Sequence, residues 1–154
     1  MLTKEELDEI ESEFPKYATK QAVCLEAMKI VQKRRGWVSD DSIKDIAEVL
    51  DMSVDELDSV ATFYNMIYRK PVGRHVIHIC DSVSCWIMGY DKLYESLSGR
   101  LGVKMGETTA DKSFTLLPVV CLGACDHAPA IMIDRETIGD ATPEKIDKIL
   151  SRYT

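Results

Sequence analysis

The sequence predicts an α+β protein, with helices gathered in the first seventy residues and an α/β region after them. Three observations carry this. Apolar residues recur at helical spacing from Leu7 to Tyr64, a Pro71-Val72-Gly73 break ends that pattern, and short β-branched runs separated by an amphipathic helical segment follow it. At 154 residues the chain can build one ordinary core or two small ones sharing an interface.

The first half predicts four helices. Thr3 with Glu6, and Ser53 with Glu56, have the spacing of a capping box, in which hydroxyl and carboxylate satisfy the free amides of a helix start. The inward stripes are Leu7, Ile10 and Phe14; then Ile43, Ile46, Ala47 and Leu50; then Leu57, Val60, Ala61 and Tyr64. Between the first two, residues 18–34 form a longer helix ending near Gly36. Cys24 lies on it among Ala22, Val23, Ala27, Met28 and Val31, where a lone cysteine serves as a small buried hydrophobe. Lys33-Arg34-Arg35 reads as a solvated helix end.

The second half predicts a strand at 75–80 (HVIHIC), a helix with Tyr90, Leu93, Tyr94 and Leu97 on one face, and a strand at 114–121 (FTLLPVVC). Pro118 weakens the second strand, because proline cannot donate to a sheet ladder and is tolerated mainly at edges or bulges. A hairpin across Arg135 joins 130–134 to 136–138, and Thr142 caps a last helix opened by Pro143, with Ile146, Ile149, Leu150 and Tyr153 inward. His75 and His78 alternate along the first strand as ordinary sheet residues.

Composition narrows the function. A net charge of −7 disfavours nucleic acid, whose phosphates are read by clustered Lys and Arg. No stretch approaches the roughly 18 apolar residues of a membrane span, and the acidic, amphipathic start does not resemble a secretory or transit signal. The five cysteines are therefore expected to be reduced, so that paired spacings point to metal or redox chemistry before structural disulfides. The dinucleotide fingerprint G-x-G-x-x-G is absent, since Gly99, Gly102 and Gly106 are wrongly spaced, so any nicotinamide chemistry belongs to a partner.

Cys80 and Cys85 form C-x4-C, and Cys121 and Cys125 form C-x3-C. Strand, helix, strand between the pairs predicts parallel strands ending at one sheet edge, with Cys85 and Cys125 in the loops beyond. Four soft thiolates suit an iron–sulfur cluster or zinc. The wide loops, with Ser82, Ser84, Gly123 and Ala124 admitting backbone amides, favour the cluster; a zinc-stapled interaction module and a redox-active thiol set stay open. His127, just past Cys125, reads as a surface histidine, with a supporting hydrogen bond or a replacement ligand as its alternatives.

Two segments, ATFYNMIYRKPVGRHVIHICDSVSCWIMG at 61–89 and GETTADKSFTLLPVVCLGACDHAPAIMID at 106–134, together with the helical start, resemble the thioredoxin-like [2Fe–2S] ferredoxins. The resemblance covers nearly the whole chain. It departs from the family pattern at Asp126-His127 and at Trp86, which bears on potential and solvent access. It implies an N-terminal four-helix bundle (residues 1–70) and a thioredoxin-like domain with a four-stranded mixed sheet (71–154). One [2Fe–2S] cluster per chain is implied, on Cys80, Cys85, Cys121 and Cys125, with no catalytic residue. It further implies an electron-transfer subunit of an NADH:quinone oxidoreductase, or its equivalent in an NAD-linked hydrogenase or formate dehydrogenase. The bundle would dock on a partner subunit carrying FMN and NADH, at the cytoplasmic face of a bacterial inner membrane.

Overall fold

The computed structural model describes residues 1–153. By its internal contacts the chain divides into two compact units, Met1–Pro71 and Val72–Thr154.

The first unit holds four α-helices: α1 (Lys4–Glu11), α2 (Cys24–Arg35), α3 (Asp40–Val49) and α4 (Val54–Phe63). Both expected capping boxes form, and Ser39 caps α3 by accepting the Ser42 amide at 3.1 Å. Gly36 ends α2 at φ +82°, a left-handed conformation that glycine adopts without a Cβ penalty. One core joins the four, built on Ile10, Met28, Val31, Ile43, Ile46, Leu50 and Leu57; Cys24 packs against it half-buried.

Three boundaries differ from expectation. Helix α1 stops at Glu11, leaving Phe14 in a separate 3-10 turn (Phe14–Lys16), because Pro15 has no amide to continue the ladder. The stretch expected to begin α2 at residue 18 is extended at Thr19 and winds as a 3-10 turn (Lys20–Val23) before the α-helix starts at Cys24. Tyr64 lies past α4 in an extended conformation, 43% exposed, off the inward stripe.

The basic run is more than a solvated end. Arg34 pairs with Glu9 at 2.6 Å, and Arg35 forks onto Glu6, with Nε to Oε1 at 2.7 Å and Nη2 to Oε2 at 2.5 Å. Glu6 is 1% exposed, so its charge depends on this fork. After α4 the chain folds back onto its own unit. Gln32 donates to Met66 O and accepts from the Tyr68 amide, while Arg69 reaches Asp58, Asp40 and the Val38 carbonyl.

The second unit runs β1 (His75–Cys80), α5 (Val83–Ile87), α6 (Tyr90–Leu101), β2 (Phe114–Val119), β3 (Ile131–Ile133), β4 (Glu136–Ile138) and α7 (Ile146–Leu150). The sheet order is β2-β1-β3-β4, with β1 and β2 parallel and the other pairs antiparallel. This is the expected mixed sheet. Pro118 is accommodated because β2 is an edge strand, and the hairpin turns on Asp134-Arg135. Thr142 stands at the start of a 3-10 turn (Pro143–Lys145) that leads into α7, but its hydroxyl makes no capping bond. Ile77, Ile79, Leu116, Ile131 and Ile133 meet Leu93 and Leu97 of α6 and Ile146, Ile149 and Leu150 of α7 in one core.

The Glu6 fork yields a stability prediction. The Arg35 hydrogen bond holds the Glu6 carboxyl below its ordinary 4.5, against the opposing effect of burial. The stabilisation is therefore complete above about pH 4.5 and is lost as pH falls through the lowered folded value. Glu6→Ala leaves Arg35 without its main partner and is expected to cost about 2–3 kcal/mol in urea unfolding followed by circular dichroism at pH 7.

Candidate metal centre

Four cysteines flank the shared end of the parallel strands. The register pairs Cys80 with Val119, so β1 finishes level with β2, and Cys121 follows two residues later. Backbone bonds fix this end from both sides: the Cys80 amide donates to Ala130 O at 3.1 Å, and the Asp81 amide to Val119 O at 3.0 Å. Cys80 Sγ also reaches Val120 O at 3.9 Å.

Cys85, expected in a loop, instead sits in α5, one short helix turn after β1. Ser82 is extended at its start, and the Trp86 amide closes the turn onto Ser82 O at 2.9 Å. This turn points Cys85 inward, 1% exposed, and leaves Val83, Trp86 and Ile87 outward at 67, 61 and 71%. Cys80 and Cys85 pack in a small cluster with Val119, Ala128 and Ala130, against which Leu122 and Ala124 lie.

The second loop is more open. Cys121 and Cys125 are exposed. The Gly123 amide donates to Cys121 Sγ at 3.3 Å, the kind of N–H···S bond that small residues are expected to permit, and at φ +75° Gly123 then takes a left-handed conformation that glycine adopts without a Cβ penalty. Cys125 begins a 3-10 turn (Cys125–His127), and the Ala128–Pro129 peptide after it is cis.

Burial is the main reason the Cys85 thiol is pushed up to about 11, followed by its hydrogen bond to Cys80; a backbone bond from Ala130 works in the opposite direction. The proximity of both Cys80 and Cys125 raises it further, so Cys85 senses one thiol at the end of β1 and one in the segment after β2. The His127 ring is engaged by carboxylates, with Nδ1 3.1 Å from Asp140 and Nε2 3.5 Å from Asp126, in keeping with a surface histidine. His75 bonds Asp134 at 2.8 Å, and His78 is buried in β1.

The donor set is one that an iron–sulfur cluster accepts: four thiols free of disulfides, Cys80 at the end of β1, Cys85 in α5, and Cys121 and Cys125 in the segment after β2. Among the described residues no three His, Cys, Asp or Glu side chains are grouped around a point that could hold a single metal ion.

One contributor escaped the sequence reading. The loop between β4 and α7 lies against the turn carrying Cys125, with the Asp140 amide donating to His127 O at 2.6 Å and the Ala141 amide to Pro129 O at 2.9 Å. Gly139-Asp140 was the available signal, a turn-forming dipeptide whose tertiary partner sequence alone does not give.

The family model described as thioredoxin-like [2Fe-2S] ferredoxin matches residues 10–154. The E subunit of NADH-quinone oxidoreductase from Buchnera aphidicola (subsp. Acyrthosiphon pisum) is 50% identical over 152 residues, covering 99% of this chain and 94% of that protein. The corresponding protein of Pseudomonas aeruginosa, which bears the same name, is 48% identical over 153 residues, covering 99% and 92%. Among solved structures, an NAD+-reducing [NiFe]-hydrogenase in its H2-reduced state superposes with a TM-score of 0.70 at 22% identity. That match covers 84% of this chain and 22% of the hydrogenase chain.

Burial predicts an order of reactivity. In cluster-free, reduced protein, iodoacetamide at pH 8 should label exposed Cys121 and Cys125 well before buried Cys80 and Cys85, as read by peptide mass mapping. Equal labelling of all four would contradict the burial assignment.

Proposed function

Because the chain belongs to the thioredoxin-like [2Fe–2S] ferredoxin family, we propose that it is the electron-transfer subunit of an NADH:quinone oxidoreductase, with one cluster held by Cys80, Cys85, Cys121 and Cys125. The observation that supports it is that β1 and β2 end level, with Cys80 the last residue of β1, Cys121 two residues past β2, and Cys85 close enough to Cys80 and Cys125 for its thiol to respond to both. Relatives named as the E subunit of that oxidoreductase, about half identical over 99% of the chain, supply the parent complex. The hydrogenase likeness, at 22% identity, supports the fold alone.

When bound, the cluster supplies a reversible one-electron store. The chain supplies ligands and their surroundings. Buried Cys80 and Cys85 form the inner side of the site, shielded by Val119, Ala128 and Ala130. Exposed Cys121 and Cys125 form its outer side, where an electron can enter and leave. The Gly123 amide stabilises negative charge on the Cys121 sulfur and favours reduction, while the chain's net charge of −7 opposes it. No nucleophile or general base is needed on this chain.

The partner in this reading is the protein that carries FMN and binds NADH, docked on the first unit. Phe63, Tyr64 and Met66 offer apolar surface there, with Phe63 76% exposed. The assembly would be peripheral to the cytoplasmic face of a bacterial inner membrane; among the described residues no helix is long and apolar enough to cross one.

Chemical analysis of the anaerobic chain should find about two irons and two sulfides, with a paramagnetic signal on one-electron reduction. Replacing any of the four ligand cysteines by alanine should deplete both elements, whereas Cys24→Ala should not. Zinc without sulfide would sink the reading. Phe63→Glu should abolish co-purification with the flavoprotein and leave the iron content unchanged; undiminished capture would remove the docking role.

A further inference from the structure

We propose that Gly139 is a positioning residue for Cys125: its bare α-carbon lets the loop from β4 into α7 close against the turn that presents this sulfur. The inference rests on the assignment of Cys125 as a cluster ligand. A Cβ at position 139 would lie 2.4 Å from His127 Cβ, 3.0 Å from His127 O and 3.3 Å from His127 Cγ. The first contact is far inside van der Waals separation. It falls on the root of the His127 side chain, so a change of ring rotamer cannot relieve it. The backbone of His127 must move, and His127 ends the 3-10 turn that Cys125 begins.

The loop has little freedom to retreat. The Asp140 and Ala141 amides bond His127 O and Pro129 O at 2.6 and 2.9 Å, and the Asp140 carboxylate holds His127 Nδ1 at 3.1 Å. Ala141 is fully buried and belongs to the same core as Ile146 and Ile149 of α7. On its outward side the turn meets solvent, since Cys125, Asp126 and His127 are all exposed. The loop is thus a rigid rest for the ligand turn, and added bulk at 139 is transmitted to the Cys125 sulfur.

The test uses the full chain loaded with iron and sulfide. Gly139→Ala should release iron to a chelator about tenfold faster or more, the scale on which supporting contacts affect metal sites, and should alter the g values of the reduced chain. Gly99→Ala is the control, because its Cβ meets nothing within 4 Å; it should match wild type. His127→Gly removes the 2.4 and 3.3 Å contacts and leaves only the 3.0 Å contact with the residue-127 carbonyl oxygen, so Gly139→Ala should have a smaller effect in that background. If Gly139→Ala alone fails to fold, recovery of folding and loading in the double variant supports the inference, and equal failure of the double variant overturns it. Wild-type release and g values in Gly139→Ala, or an undiminished effect beside His127→Gly, also overturn it. A wild-type chain that takes up neither iron nor sulfide overturns the ligand assignment and this inference with it.

Discussion

The parallel pairing of β1 with β2 is the constraint on which the site depends. Six register pairs, from His75 with Phe114 to Cys80 with Val119, bring both strands to an end on one sheet edge. The pairing is strongly specified, because β1 is central and buried from Val76 to Cys80, and a one-residue slip would reverse which face each side chain meets. With the ends level, two short connections suffice: a single helix turn brings Cys85 back toward Cys80, and a glycine turn brings Cys125 back toward the same edge.

The two cysteine pairs occupy different environments. Cys80 and Cys85 are 3% and 1% exposed within a small apolar cluster, while Cys121 and Cys125 face outward. Burial pushes the Cys85 thiol up to about 11, so with Cys85 as a ligand, as proposed, loading would displace a proton there and uptake would depend on pH. On the proposed ligand set this asymmetry also has a use in electron transfer. The inner pair shields the centre from water, and the outer pair shortens the path to a partner.

Much of this was legible because it follows local rules. The capping residues Thr3 and Ser53, the stripe from Leu93 to Leu97 and the apolar run at 75–80 each identify an element through nearby residues. What was missed depended on competition between neighbours or on tertiary contact. Pro15 ends α1 before Phe14 can join its stripe, and Arg35 looked solvated because its partner Glu6 lies 29 residues away. Cys85 looked like a loop residue because α5 is only five residues long, too short to show a helical period. The role of Gly139 required knowing that residues 139–141 lie against 127–129.

The most direct test of the account is iron K-edge X-ray absorption on the loaded chain. The account predicts that each iron sees sulfur neighbours only, a mixture of thiolate and sulfide, together with one nearby iron. An isolated iron with no iron neighbour, or a first shell containing nitrogen from His127, would contradict it.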